Sequence, residues 1–258
     1  MKQFILKTPP DKNGRILLKG SDYRYLVQAR RLAPGEYFPV LLPDGGKGAV
    51  RVLSIENHAL AGELVSQAAP PLEQPSLLPP IILFQAIPKS GTMASIVRQA
   101  AESGLSEIVP FVSEFSSVRT VSGNVLNHSR WERIVKEARQ QSGSLTATSV
   151  LAPMQIDALF AYWEQIQNKQ TKTVGVFFHH IPLANASLHG YLKDRPKTVV
   201  LAVGPEGGFS ESEARRFMNA GFSPFTIGDT VLRTDTAALY AQASVRILLL
   251  EKDSWKMQ

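Results

Sequence analysis

An α/β fold, with a parallel sheet in the larger part of the chain and a small antiparallel β-barrel ahead of it, is what this 258-residue sequence predicts. Three observations carry that expectation. Five prolines fall within residues 70–80, which forbids a regular helix or central strand there and marks a break in the chain. Ahead of the break, short apolar runs are separated by turn residues. Behind it, continuously apolar runs alternate with longer helical segments, the pattern of parallel strands joined by crossover helices. We therefore expect a β-barrel domain over 1–72, a linker over 73–80 and an α/β domain over 81–258.

In the first part, strands are expected at 37–42, 49–55 and 59–65. They are joined through Pro43-Asp44-Gly45-Gly46 and Glu56-Asn57-His58, where Asp-Gly and Asn tolerate the positive φ angles of tight turns. In the second part, strands are expected at 81–86, 107–112, 174–178, 199–203 and 225–227, several apolar throughout, as strands buried on both faces should be. Helices are expected at 92–103, 130–141, 154–167, 211–220 and 236–250. The last carries Ala, Leu, Val and Ile on nearly every face, which predicts burial on most sides, against a partner copy or inside the fold.

Composition excludes several function classes. With no cysteine, the chain has no disulfide, no thiolate nucleophile and no cysteine-based zinc or iron–sulfur site. His58, His128 and His189 show no metal-ligand spacing, so no metal is expected. A formal charge of +6, from 28 basic and 22 acidic residues, points to a polyanionic partner whose phosphates the surplus cations would neutralise. The apolar run near Met1 is too short for a signal peptide and no stretch reaches membrane-helix length, so a soluble, cytoplasmic protein is expected.

Two loops carry the chemistry. Val199–Val203 leads into Gly204-Pro205-Glu206-Gly207-Gly208-Phe209-Ser210, after which Ser210 and Glu213 fit a capping box and Gly221 a helix stop. Three glycines at the carboxyl end of a parallel strand let backbone amides approach a ligand closely. The loop has neither the Gly-Lys-Ser/Thr ending of a P-loop nor the spacing of a dinucleotide fold, and Glu206 would repel an anion. A cationic ligand or a nucleoside without phosphates fits better. The second loop, Ile227-Gly228-Asp229-Thr230-Val231-Leu232-Arg233-Thr234-Asp235-Thr236-Ala237, also runs from a strand to a capped helix start.

These two loops, in this order, resemble those of the SPOUT superfamily of RNA methyltransferases, and most closely the RsmE family, which methylates N3 of a uridine in 16S ribosomal RNA. The likeness extends to Gln85-Ala86-Ile87-Pro88-Lys89, Ile108-Val109-Pro110, Trp131-Glu132-Arg133-Ile134-Val135 and Glu137-Ala138-Arg139-Gln140-Gln141-Ser142-Gly143. It implies a PUA-like RNA-binding barrel, a SPOUT domain with a C-terminal trefoil knot, a homodimer, and S-adenosylmethionine as cofactor. Cofactor contacts would fall on Phe177, His179, Gly204, Pro205, Glu206, Gly207, Gly208, Ile227, Gly228, Leu232, Arg233, Thr234 and Ala237. Arg233 would stabilise charge on the uracil oxygens, and Glu206, Asp235 and His179 are candidates to take the N3 proton. Glu206 could instead fix its loop by bonding amides, and Arg233 could pair with Asp229 or Asp235. Since neighbouring strand residues face opposite ways, at most one of His179 and His180 is expected to face a ligand.

RNA contacts would fall on Arg24, Arg30, Arg31, Lys89 and Arg119. Departures from the family pattern gather where RNA would be met. Arg24 and Tyr25 replace a histidine pair; Thr92, Ala94 and Gln99 take positions usually charged; Phe115 and Ser144 stand where arginine is usual. The resemblance therefore implies a methyltransferase of small-subunit ribosomal RNA with altered RNA recognition and a shallower salt dependence. An RNA-binding protein that has lost turnover and a SPOUT enzyme with another RNA target are the alternatives.

Overall fold

The computed structural model describes residues 3–68, 78–89, 91–119, 128–180, 183 and 186–254. Most of the linker expected over 73–80, up to residue 77, lies outside the described residues. The described residues group into two compact units, one formed by those up to 68 with Gln140–Leu145, the other by the remainder.

The first unit is built on five strands: β1 (Phe4–Ile5), β2 (Arg15–Lys19), β3 (Tyr37–Leu41), β4 (Lys47–Glu56) and β5 (Ala59–Ala68), in the order β1-β3-β4-β5-β2. β1 runs parallel to β3 and the other pairs are antiparallel, so the sheet is mixed rather than wholly antiparallel. β1 spans two residues and β2 lies between Gly14 and Gly20, too little periodicity to read from sequence. In β2 the alternation buries Ile16 and Leu18 while Arg15, Leu17 and Lys19 face out. A short helix, α1 (Gly20–Tyr23), continues into a π-helical turn over Arg24–Ala29, where the Arg30 N–H donates to the Tyr25 carbonyl at 3.0 Å. Leu26 anchors this turn in the core. Gln140–Leu145 join the unit through the Gln3 N–H, which donates to Gln140 O, and the Gln3 amide, which donates to Ser144 O at 3.2 Å.

The second unit holds seven parallel strands: β6 (Ile81–Ala86), β7 (Glu107–Val112), β8 (Ser149–Val150), β9 (Met154–Gln155), β10 (Thr173–Phe178), β11 (Thr198–Val203) and β12 (Phe222–Phe225). Their order is β12-β10-β11-β6-β7, with β8 and β9 both on the outer side of β7. Every residue of β6 and β11 is buried. Alternate side chains supply two cores. Leu83, Val176 and Leu201 pack against α2 (Thr92–Glu102), α3 (His128–Ser142), α5 (Leu188–Leu192) and α7 (Thr234–Ser254). Phe84, Phe177 and Val200 pack against α4 (Ile156–Lys169) and α6 (Glu211–Asn219) on the other face.

In the second unit, Pro110 and Pro224 sit inside strands, each where a missing N–H costs little. Ile108 and Phe111 carbonyls bond to opposite neighbours, so Pro110 faces outward, between the stretches paired by β8 and β9. Pro224 likewise faces the open edge of β12, where its carbonyl accepts from the Tyr191 hydroxyl at 3.0 Å. The strand expected at 225–227 thus lies three residues earlier, because a proline beside a helix stop reads as a turn rather than as an edge strand. The terminal helix, expected to be buried against a partner copy or inside the fold, is covered on one side only within this chain. α7 buries Ala238, Ala241, Val245 and Leu249 but exposes Leu239, Tyr240, Ile247 and Leu250.

At the centre of the second core, the Phe217 ring meets Phe209 at 4.9 Å, Phe160 at 5.0 Å, Phe222 at 5.2 Å and Phe177 at 5.5 Å. Phe209 belongs to the glycine loop, so this cluster anchors the loop to the sheet. Phe217→Ala should therefore lower the unfolding free energy in urea by about 3–5 kcal/mol. Met218→Ala, at the next position and exposed on the surface of α6, should change it by far less, under about 1 kcal/mol.

Candidate functional site

β12, β10 and β11 are adjacent, and all end at the same edge of the sheet. The segments that leave them meet there, at the carboxyl ends of parallel strands, and enclose a cavity of about 230 Å3. Of the residues expected to hold a ligand, His179, Gly204, Pro205, Glu206, Gly207, Gly208, Ile227, Gly228, Leu232, Thr234 and Ala237 line it. Phe177 and Arg233 do not. The Phe177 side chain belongs to the aromatic core, and Phe178 lines the cavity in its place. Arg233 is exposed between two lining residues; among the described residues it forms no ion pair with Asp229 or Asp235. Thr226, Asp229, Thr230 and Val231 complete the second loop's contribution.

The glycines permit two close approaches. A Cβ on Gly204 would lie 2.9 Å from the Gly208 carbonyl carbon, and Gly208 has a φ of 70°, so the loop folds back on its own backbone because Gly204 leaves the space and Gly208 takes the turn. A Cβ on Gly207 would lie 2.9 Å from the Phe115 Cβ, in the turn that follows β7. The loop's entrance is held by Gln85, fully buried at the end of β6, whose amide donates to Ala86 O at 2.9 Å and contacts Val203 O and Gly204 O at 3.4 Å. Its exit is held by the expected capping box. The Ser210 hydroxyl accepts from the Glu213 N–H, and Glu213 Oε2 accepts from the Ser210 N–H. Glu213 Oε1 also accepts from the Glu114 N–H at 2.8 Å, which ties the glycine loop to the turn after β7.

Glu206 is exposed, and both of its carboxylate oxygens accept from the Lys89 backbone N–H, at 3.0 and 3.1 Å. The amide-bonding role weighed for this residue is the one the geometry shows, with the amide coming from the β6–α2 connection rather than from its own loop. Asp235 Oδ1 accepts from the Thr236 N–H at 3.0 Å. Both histidines line the cavity, against the expectation that one would turn away. They follow β10 rather than belong to it, so strand alternation does not apply, and their rings meet edge to face at 4.7 Å. Burial, reinforced by the charge of His180, holds His179 below the usual imidazole range, and its Nδ1 is buried with no hydrogen-bond partner among the described residues.

The residues expected to meet RNA are all exposed. Arg24 opens the π-helical turn, Arg30 follows it, and Arg31 adopts a φ of 59°. In the second unit, Lys89 carries the amide bound by Glu206, and the Arg119 guanidinium donates to the Glu114 carbonyl at 2.7 Å. Among the described residues, no group of three or more His, Asp or Glu side chains could hold a metal, and no helix is long and apolar enough to cross a membrane.

A parallel sheet that ends in a glycine-folded, carboxylate-bearing cavity defines an α/β protein built to hold a small, uncharged or cationic ligand beside a basic surface. Residues 75–246 match the RNA methyltransferase domain family. The chain belongs to that family, within its ribosomal RNA small subunit methyltransferase E branch. It is 32% identical to the ribosomal RNA small subunit methyltransferase E of Synechocystis sp. over 237 residues, covering 91% of this chain and 73% of that one. The Mycobacterium bovis protein of the same name is 25% identical over 256 residues, covering 97% and 93%. The crystal structure of the Neisseria gonorrhoeae protein, solved bound to S-adenosylmethionine, superposes with a TM-score of 0.79 at 28% identity, covering 96% of this chain and 98% of that one.

The lowered His179 makes a prediction about acid stability. The folded pKa lies below the unfolded value, so the unfolded chain binds more protons as the pH falls. The stability linked to neutral His179 is full above about pH 6.5 and is lost as the pH falls from there toward the folded pKa. Melting temperatures measured between about pH 7.5 and 5.5 should fall less in His179→Gln than in the parent chain.

Proposed function

We propose that this chain transfers a methyl group from S-adenosylmethionine to N3 of a uridine in 16S ribosomal RNA of the small subunit, in the cytoplasm. The observation that carries this reading is the cavity itself. Glycines of both loops line it, Glu206 and Asp229 are the acidic residues among its lining, and no lysine or arginine lines it to meet a phosphate. A nucleoside bearing a sulfonium and no phosphate suits that donor set, and the buried, unpartnered His179 Nδ1 offers it a polar contact. When bound, S-adenosylmethionine supplies a methyl group activated by the positive sulfur.

The remaining work falls to the chain's own groups. The backbone of Gly204–Gly208 and the Ile227, Leu232, Thr234 and Ala237 segment hold the nucleoside and fix the approach of the uracil nitrogen; such positioning supplies much of the acceleration in a direct transfer. Arg233, exposed beside the cavity and without an ion-pair partner in its own loop, stabilises the negative charge that develops on the uracil oxygens. Glu206 is a positioning group here, since its carboxylate is occupied by the Lys89 amide. His179 and Asp235 are the groups available to take the N3 proton. The same reading gives the second unit SPOUT topology with a C-terminal trefoil knot. It also makes the first unit a PUA-like barrel that brings Arg24, Arg30 and Arg31 to the RNA.

Labelled methyl should pass from S-adenosylmethionine to small ribosomal subunits that lack the modification and be recovered as 3-methyluridine. Arg233→Ala should slow the reaction by roughly a hundredfold or more, the loss typical of a missing charge-stabilising donor. Label on another nucleoside overturns the target, and an absence of label overturns the activity.

The dimer belongs to the same reading and is supported by the exposed apolar side chains Leu239, Tyr240, Ile247 and Leu250 of α7. Sedimentation should show a dimer at micromolar concentration and a monomer for Ile247→Asp. A monomeric parent chain contradicts the proposal.

A further inference from the structure

Beside the cavity, the turn that follows β7 presents an aromatic ring to solvent. Phe115 is 49% exposed. The turn that bears it is held from several directions. The Glu114 N–H donates to the buried Glu213, the Ser113 N–H donates to Ser116 Oγ at 3.0 Å, and the Ser117 hydroxyl donates to Pro88 O at 2.8 Å. The base of the ring rests on the glycine loop, where a Cβ at Gly207 would come within 2.9 Å of the Phe115 Cβ and 3.2 Å of its Cγ. One side of Phe115 is thus fixed against a residue that lines the cavity, and the other side is open to water.

Two exposed cations are built into the same framework. Arg119 donates to the carbonyl of Glu114, one residue before Phe115, and Lys89 gives its amide to Glu206, one residue before Gly207. A half-exposed ring on a turn held at several points, with two exposed cations tied into the same framework, is a combination that suits unpaired nucleotides. The ring stacks on a base and the cations meet the phosphates. Packing alone does not require a ring here, since leucine would cover Gly207 as well.

We infer that Phe115 is a stacking platform for an unpaired nucleobase of the RNA substrate, at the rim of the cofactor cavity. The inference rests on the methyltransferase reading for the identity of that substrate. Phe115 acts as a positioning residue, setting how RNA lies across the cavity while the cofactor contacts stay as they are.

The test compares Phe115→Leu, which keeps apolar bulk without a π face, with Phe115→Trp, which enlarges it, in the full chain. The binding arm uses a short single-stranded oligouridylate and no turnover. Phe115→Leu should bind it roughly tenfold more weakly than the parent, the loss expected for one stacked base, and Phe115→Trp should bind at least as tightly as the parent. The added tryptophan should also be quenched as the oligonucleotide is titrated in. The kinetic arm uses methyl transfer to small ribosomal subunits. Phe115→Leu should raise the KM for the subunit while kcat and the Kd for S-adenosylmethionine hold, and Phe115→Trp should restore the KM. Equal oligonucleotide affinity in the parent and Phe115→Leu, or a tryptophan that is not quenched, overturns the inference. So does an unchanged KM with normal turnover, which leaves the methyltransferase reading intact. If the binding arm behaves as stated but the parent transfers no methyl, the platform stands and the proposed activity falls.

Discussion

The site depends first on one buried carboxylate. Glu213 is 4% exposed, and its two oxygens accept from backbone amides that lie far apart in sequence, Ser210 at the exit of the glycine loop and Glu114 in the turn after β7. A charged group taken out of water needs its lone pairs satisfied, and charge-assisted bonds of this kind are among the stronger ones a chain can make. Its place in the first turn of α6 adds the favourable field of a helix N-terminus. From this single residue the geometry spreads in both directions. Phe209, next to Ser210, enters the aromatic core, while Phe115, next to Glu114, rests on Gly207. The loop that floors the cavity is therefore clamped at its exit by Glu213, at its entrance by the Gln85 amide and along its rim by Glu206 on the Lys89 amide.

The fold was legible wherever burial dictates composition. β6, β7 and β11 must be apolar on both faces, so they stand out as uninterrupted runs, and the observed bounds of β6 and β7 match the expected ones. Legibility fails where topology rather than burial makes the strand. β12 needs only one partner, tolerates Pro224 on its open edge, and so looks like a turn. β8 and β9 are two residues each, given strand geometry only by the neighbouring β7. In the first unit, β1 is added parallel to β3, a pairing between distant residues that no local pattern announces.

The candidate site divides in the same way. Glycines that fold a backbone on itself, and a capping box that ends the loop, are local signals, and the two loops were readable from them. The contribution of His180 was missed because strand alternation was carried past the end of β10. Of the stretch expected to contribute backbone, Phe177 to His179, Phe178 and His179 line the cavity, while the Phe177 side chain turns into the core. The bonds from Glu213 to Glu114 and from Glu206 to Lys89 join residues about a hundred positions apart. Only the chain's path brings these partners together, so no spacing rule could have found them.

Charge is sorted between the cavity lining and the surface beside it, and that sorting bears on how one small region could serve two ligands of opposite sign. Glu206 and Asp229, both exposed, line the cavity together with the buried His179, whereas the exposed Lys89, Arg119 and Arg233 do not line it. A cationic nucleoside is favoured inside and a polyanion outside. If the cations lined the cavity they would repel the sulfonium. Glu206 sits on the boundary between the two regions. By accepting from the Lys89 amide it fixes the base of a lysine whose side chain is exposed. Acidic residues on the lining and cations beyond it are the arrangement that a cationic donor and a polyanionic acceptor both favour.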